Sequence, residues 1–274
     1  MAFISQYICP PECTQPALWF FFREDRLLVD YIDNAAHIPV FSEAAPLGIN
    51  PCPAQFLGLL DGQPCYAASI ETEDDAVIGK LTPVPLRKLF GTLTADRFQV
   101  AACAYHLLHW DRLSRFCGKC GEPTQMSATE RAKICDACGN TVFPRISPAV
   151  IVAVVRDDRI LLAHSGRFPG GFYSVLAGFV EPGETLEACV AREVKEEVGI
   201  EVAGIEYFGS QHWPFPDSLM IAFTASYAGG EILVDGKEIA EAAWFAADGL
   251  PRIPEHNSVS RRLIDWFTES RRRQ

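Results

Sequence analysis

Positive charge is scarce in this chain: 24 Lys and Arg face 35 Asp and Glu, leaving a formal net charge of −11 and a pI near 5.0. A protein that grips nucleic acid along its phosphates carries the opposite, basic footprint. A non-enzymatic RNA- or DNA-binding module is therefore disfavoured, while RNA held chiefly through its terminal nucleotide stays open. The Arg261-Arg262 pair and the Arg271-Arg272-Arg273 tail are local exceptions of the kind a solvated terminal helix carries. Long hydrophobic runs are missing as well. The run Ala-Leu-Trp-Phe-Phe-Phe at residues 17 to 22 falls far short of the roughly 20 apolar residues a membrane span needs. No basic stretch precedes it, as one would in a secretory signal. The expectation is a soluble, cytoplasmic protein with no membrane partner.

Paired cysteine spacing is also sparse. Of the ten cysteines, Cys9, Cys13, Cys52, Cys65, Cys103 and Cys189 show no paired knuckle and read as thiols in a reducing compartment. The other four are different: Cys117-Gly-Lys-Cys120-Gly and Cys135-Asp-Ala-Cys138-Gly form two C-x2-C-G knuckles separated by fourteen residues. Each knuckle directs two sulfurs at one ion and its glycine relieves the turn, which favours a structural Zn²⁺ ribbon over a redox pair or two disulfides. Four cysteines leave no coordination position for water, so this zinc is not catalytic.

With 274 residues and 49% hydrophobic content, the chain can bury a full core, and its length suggests about two domains. Composition places boundaries near 112 and 145: an N-terminal α+β domain (1–112), the ribbon (113–144) and a third domain (145–274). Pro46 to Gly48 and Pro51 to Pro53 punctuate the first part, and a helical pattern around Phe98, Tyr105 and Leu108 leads into the ribbon. No chemistry is legible in the first 110 residues. From 148 the run Pro-Ala-Val-Ile-Val-Ala-Val-Val, the turn Asp157-Asp158 and the run from Arg159 to Ala163 signal a β-hairpin. Further apolar runs follow at 173–180, 203–210, 218–227 and 240–246, and Val259, Leu263, Trp266 and Phe267 mark a final amphipathic helix.

The most informative segment is residues 178 to 200, where Gly178, Glu184, Arg192, Glu193, Glu196, Glu197 and Gly199 recur at fixed offsets. At ordinary residue frequencies these seven residues, together with the aliphatic positions Val194 and Ile200, arise by chance on the order of once in ten million chains this long. On a helix Glu193, Glu196 and Glu197 share one face. Three crowded carboxylates mean either a solvated acidic stripe or a site for hard cations such as Mg²⁺ or Mn²⁺. Leu186, Val190 and Val194 supply an apolar seam beside them, so the acids are positioned at the rim of a core. Pro182 and Gly183 make the turn before the helix and Gly199 its stop. The Arg192 guanidinium is placed to orient a neighbouring carboxylate rather than touch substrate.

This stretch resembles the Nudix box, G-x5-E-x7-R-E-U-x-E-E-x-G-U with U aliphatic, at every fixed position. The resemblance implies an α/β/α sandwich with a mixed sheet, and cleavage of a nucleoside diphosphate joined to another group. It makes Glu193 and Glu197 divalent-metal ligands, Glu196 a further ligand or a water-orienting carboxylate, and the carbonyl of Ala177 another metal contact. Ten residues beyond the box, Ser210-Gln211-His212-Trp213-Pro214-Phe215-Pro216-Asp217-Ser218 resembles the S-Q-P-W-P-F-P-x-S array of the NADH pyrophosphatase branch, which is also described as hydrolysing NAD-capped RNA. His212 stands where that branch has proline.

Flat aromatic faces suit adenine and nicotinamide, which makes Phe179, Trp213 and Phe215 stacking candidates, and Gln211 and Ser218 hydrogen-bonding ones. The prolines Pro214 and Pro216 reduce the ordering cost of binding. The same resemblance assigns Glu238 as a remote metal-binding glutamate and Ser260 as a ligand contact. It makes Phe143 the counterpart of a tyrosine set against the ligand base, sometimes across a dimer interface. Ile151 borders that pocket or simply fills the core. Arg87 matches an N-terminal substrate-contact arginine only across a gap, and a plain surface role stands beside that assignment. The expected activity is metal-dependent hydrolysis of NAD(H) to nicotinamide mononucleotide and AMP, with removal of the NAD cap from RNA left open and a homodimer implied. A Nudix pyrophosphatase for ADP-ribose or another nucleotide sugar is the rival reading.

Overall fold

The computed structural model describes residues 3–10, 16–41, 54–70, 79–166, 171–254 and 258–272. Cys13, Cys52 and the punctuation at 46–48 and 51–53 lie outside them. The chain divides into two compact units, Met1–Arg145 with Pro214–Pro216, and Ile146–Trp213 with Asp217–Gln274. Among the described residues, no helix is long and apolar enough to cross a membrane.

The first unit holds β1 (Phe3–Ser5), β2 (Ala17–Arg23), β3 (Arg26–Ile32), β4 (Ala35–His37), β5 (Val40–Phe41), β6 (Gln55–Leu60), β7 (Gln63–Ser69) and β8 (Thr82–Pro85), followed by helix α1 (Ala95–Leu113). The strands form one sheet in the order β1-β6-β7-β2-β3-β4, with β5 on β2 and β8 on β3. The apolar run of β2 does not alternate with polar residues because both its faces are covered. Leu18, Phe20 and Phe22 enter a core shared with Val100, Ala104 and Leu107 of α1, while Ala17, Trp19 and Phe21 enter a second core with Leu28 and Ala68.

After α1 come the ribbon strands β9 (Gln125–Met126), β10 (Lys133–Ile134) and β11 (Thr141–Val142), ordered β11-β10-β9. The ribbon is tied into this unit by two cations. Lys133, only 5% exposed, donates to the Asp111 carbonyl and pairs with Asp111 Oδ1, each at 2.8 Å. Arg131 donates through Nη2 to the Gln6 carbonyl at 2.6 Å. A buried ammonium is tolerable only with such partners.

The second unit comprises β12 (Ser147–Arg156), β13 (Arg159–His164), β14 (Leu176–Phe179), α2 (Leu186–Val198), β15 (Glu201–Trp213), β16 (Ser218–Gly229), β17 (Glu241–Ala246) and α3 (Val259–Arg272). Its six-stranded sheet runs β15-β16-β12-β13-β17, with β14 also on β12. Among the described residues β12 and β16 run parallel and the other pairs antiparallel, so the sheet is mixed. The hairpin between β12 and β13 turns at Asp157, whose φ of 52° lies in the left-handed region that Asp tolerates better than most residues. Side chains of β12 alternate with the pleat. Val150, Val152 and Val154 pack with Val190 and Val194 of α2, and Ile151 and Ala153 pack with Leu263 and Phe267 of α3. One helix on each face of a mixed sheet is the α/β/α sandwich expected from the box. The apolar seam of α3 is narrower than its sequence suggests: Val259, Leu263 and Phe267 are buried, but Trp266 remains 37% exposed at the edge, against Phe208. Ile151 is a core residue, 5% exposed.

Candidate active site

The acidic helix α2 is built to be held still. Thr185 caps its start, Oγ1 accepting from the Ala188 amide at 3.2 Å, and Gly199 ends it with a left-handed φ of 73° that a side chain would strain. Val190 and Val194 are fully buried and Leu186 packs beside them, which fixes the rotation of the helix and the direction of its acids.

Arg192 organises those acids. Its Nε and Nη2 grip both oxygens of Glu184 at 2.6 and 2.9 Å, its Nη1 donates to Glu193 Oε1 at 2.9 Å and Glu196 Oε2 at 3.0 Å, and Nη2 also reaches the Phe179 carbonyl at 3.0 Å. These contacts fix the direction of the neighbouring carboxylates, and only a planar fork supplies so many directed donors. Glu184, quoted in the box but given no role there, is the anchor of the fork. Hydrogen bonding from Arg192 holds its carboxyl down at about 2.

Gly178 explains its own place in the motif. It sits on β14 opposite Val150, and a Cβ there would lie 1.9 Å from Glu193 Cδ. The Glu193 carboxylate thus occupies the space that any larger residue would fill. Burial raises the Glu193 carboxyl above its ordinary range despite Arg192. The Ala177 carbonyl belongs to the same strand, paired with Ile151.

Glu197 is the most unusual of the set. It is 8% exposed, and its Oε2 is buried without a hydrogen-bond partner. Burial first, then the negative charges of Glu193, Glu238, Asp235 and Glu196, push its carboxyl up to about 8. A buried acid in such a field keeps its proton unless positive charge replaces it. The orphaned oxygen and the all-carboxylate surroundings therefore fit a hard divalent cation. Glu238, far away in sequence, contributes to this field at both Glu193 and Glu197. Asp235, which the sequence reading missed, adds to the field at Glu197; the D-x-x-E spacing of an Asx turn was the available signal.

The four predicted cysteines converge. Cys117–Cys138, Cys120–Cys135 and Cys120–Cys138 sulfurs lie 3.7, 3.5 and 3.4 Å apart, and all four fall within 4.8 Å of one another. A tetrahedral site with Zn–S of about 2.3 Å requires sulfur separations of about 3.8 Å, so the donor set fits zinc. The knuckles are equivalent: Gly121 N donates to the Cys117 carbonyl and Gly139 N to that of Cys135, both at 2.8 Å, with φ of 82° and 70° at the two glycines. Amides of Lys119 and Cys120 draw the Cys117 thiol down to about 6.

The downstream array spans the end of β15, the turn and the start of β16. His212 pairs with Leu219 and Trp213 with Ser218 across the ladder. Ser218 and Pro214 are buried, Trp213 and Asp217 half-buried, Pro216 exposed. The Gln211 carbonyl oxygen accepts from Val259 N at 2.7 Å, capping α3, so that oxygen is committed to the fold. Phe215 packs on the first unit's core with the Arg87 guanidinium 4.1 Å from its ring centre and Tyr105 on it at 6.1 Å. Arg87 and Phe215, proposed separately as substrate contacts, are thus in contact with each other. Phe179 and Phe143 are 59% and 56% exposed. Ser260 is buried, its hydroxyl 2.9 Å from that of Ser258.

Three family models match successive segments of the chain. Residues 145–267 match the NUDIX domain, 112–143 the NADH pyrophosphatase zinc ribbon domain and 16–110 the NADH pyrophosphatase-like rudimentary NUDIX domain. The NAD-capped RNA hydrolase NudC of Stutzerimonas stutzeri (strain A1501) is 45% identical over 217 residues, 79% of this chain and 78% of the relative. The chain belongs to the Nudix hydrolase family. This Nudix hydrolase is also 45% identical over 215 residues to the NAD-capped RNA hydrolase NudC of Pseudomonas aeruginosa (strain LESB58), covering 78% of the chain and 77% of the relative. A crystal structure of a Nudix hydrolase from Nitrosomonas europaea superposes with a TM-score of 0.51 at 23% identity, over 58% of this chain and 93% of that one, and bears on the fold alone.

Proposed function

We propose that this Nudix hydrolase cleaves the diphosphate of NAD(H) to nicotinamide mononucleotide and AMP, and removes the same group as a cap from RNA 5′ ends. The observation that carries the hydrolytic reading is Glu197, a buried carboxyl with an orphaned oxygen in the field of Glu193 and Glu238. Supporting the choice of substrate are the aromatic array from Ser210 to Ser218 and relatives named as NAD-capped RNA hydrolases.

Glu193, Glu197, Glu238 and the Ala177 carbonyl are the proposed ligands of Mg²⁺ or Mn²⁺, with Glu196 an added ligand or an orienter of water. Bound there, such a cation offsets the diphosphate charge, polarises its phosphoryl oxygens and acidifies water. Arg192 keeps Glu193 and Glu196 aimed while Glu184 neutralises the guanidinium. A water oxygen bonds to one phosphorus in line as the bridging P–O bond breaks, and each product leaves as a phosphate monoester. Trp213 and Phe179 offer faces for the bases. His212, Asp217, Ser218 and Ser260 border the ligand. The four-cysteine ribbon is structural.

Two copies acting together complete the proposal, since Phe143, Phe116 and Leu113 stay 56%, 65% and 68% exposed on the first unit. The unpaired thiols Cys9, Cys65, Cys103 and Cys189 agree with a cytoplasmic setting. A substrate panel of NADH, NAD⁺, NAD-capped RNA and ADP-ribose, with one purified sample, tests the reading. NADH or capped RNA should lead; preference for ADP-ribose by tenfold or more would move the enzyme to the rival class.

A further inference from the structure

The segment that brings Glu238 back to the acidic helix is fastened at several points. Leu233 N donates to the Val198 carbonyl at 3.0 Å and Asp235 N to the Glu197 carbonyl at 3.1 Å, so the returning chain satisfies carbonyls that the end of α2 leaves without an intrahelical partner. Three residues later the chain must turn so that the Glu238 carboxylate acts on Glu193 and Glu197. Gly236, with φ of 67° and nothing within 4 Å of a Cβ position, makes that turn.

The side chain that closes the turn is Asp235. Its Oδ1 accepts from Glu238 N at 3.2 Å and Ile239 N at 2.9 Å, and its Oδ2 accepts from Glu238 N at 3.1 Å. Ile239 is 7% exposed in the core that contains Val190 and Val194, so one end of the turn is anchored to the body of the α2 layer. We infer that Asp235 is a positioning residue, which registers Glu238 against Glu197 by linking its own helix-bound amide to the amides of Glu238 and Ile239. Its carboxyl is held below the usual range by those amides, Ile239 first, as expected for an anion spent on backbone donors. Because both carboxylate oxygens accept from these backbone amides, its contribution is assigned to hydrogen bonding.

This inference rests on the reading of Glu238 as a cation ligand. It separates from a purely electrostatic role because Oδ1 alone receives both amides. Asp235→Asn keeps that acceptor and loses the charge, whereas Asp235→Glu keeps the charge and moves the acceptor by one methylene. The test is Mn²⁺ titration of the zinc-loaded, EDTA-washed protein, followed by the electron paramagnetic resonance of free Mn²⁺, with melting temperatures measured alongside. Loss of an orienting partner costs about 10–100-fold in metal affinity. D235E should show that weakening with kcat for NADH recovered at saturating Mn²⁺, and D235N should stay within about threefold of wild type. The opposite order, or equal weakening in both, overturns the inference, as does wild-type affinity in both. Wild-type Mn²⁺ affinity in Glu238→Gln removes the ligand reading on which it rests. If the expected order appears but no variant, nor wild type, hydrolyses NADH, the positioning role stands and the proposed substrate does not.

Discussion

Gly178→Ala isolates the geometry of the acidic site without removing any of its acids. Gly178 lies in ordinary strand backbone on β14, so alanine is acceptable there as far as the main chain is concerned. The obstacle is the Glu193 carboxylate, whose Cδ, Oε1 and Oε2 would stand 1.9, 2.1 and 2.2 Å from the new methyl. Ordinary contact begins near 3.4 Å, so the carboxylate must retreat by roughly 1.5 Å from its present 1.9 Å. It sits at the end of a flexible side chain and can do so without disturbing the sheet, but it then leaves the position set by Arg192. A misplacement of about 1 Å at a reacting centre costs on the order of 100-fold in rate, or about 2.7 kcal/mol. We expect kcat/KM for NADH at saturating Mn²⁺ to fall at least about 100-fold while the melting temperature stays within about 4 °C, the effect of roughly 1 kcal/mol on a domain of this size. Activity within threefold of wild type would refute the packing argument. A collapse in melting temperature would refute it differently, by showing that Gly178 serves the fold.

Glu197→Gln should lower turnover at least about 100-fold, since it removes a charge with little change in volume; it should not lower the melting temperature of EDTA-washed protein, because the native carboxyl already carries an unpartnered oxygen, and a marked loss of stability would contradict that. Cys135→Ser should act through folding, with lower thermal stability and less than one equivalent of zinc by mass spectrometry; full zinc occupancy with unchanged stability would be inconsistent with a closed four-cysteine site. Trp213→Ala should forfeit about 1–3 kcal/mol of stacking, a loss of roughly 5- to 150-fold in kcat/KM for NADH, and far less on a diphosphate lacking that base. Equal losses on both substrates with a lowered melting temperature would make Trp213 a core residue.

The catalytic half of this molecule was readable because its signals are local. Gly178 to Ile200 carries helix, caps, seam and acids within one segment, and the cysteine knuckles carry their spacing with them. The apolar run of β12 was equally plain, although only the structure shows which residues face α2 and which face α3. What escaped were relations across sequence distance. Glu184 was legible as a fixed letter but not as the partner of Arg192, eight residues away. Asp235 lies outside both recognised motifs and acts through backbone amides, so its D-x-x-E spacing from Glu238 was the sign available in the sequence. Gln211 looked free to bind a nucleotide, yet its carbonyl oxygen caps a helix 48 residues later. The first 110 residues offered no chemistry beyond Arg87, whose match ran across a gap.

The most direct test of the central claim is product analysis of NADH incubated with the purified protein, with Mn²⁺ or Mg²⁺ added or withheld and Glu197→Gln run in parallel. Reduced nicotinamide mononucleotide and AMP should form in equal amounts, their formation should stop with EDTA and return with the cation, and the variant should give at least about 100-fold less of both. Products from cleavage at another bond, or turnover that ignores both the cation and the loss of Glu197, would contradict that claim.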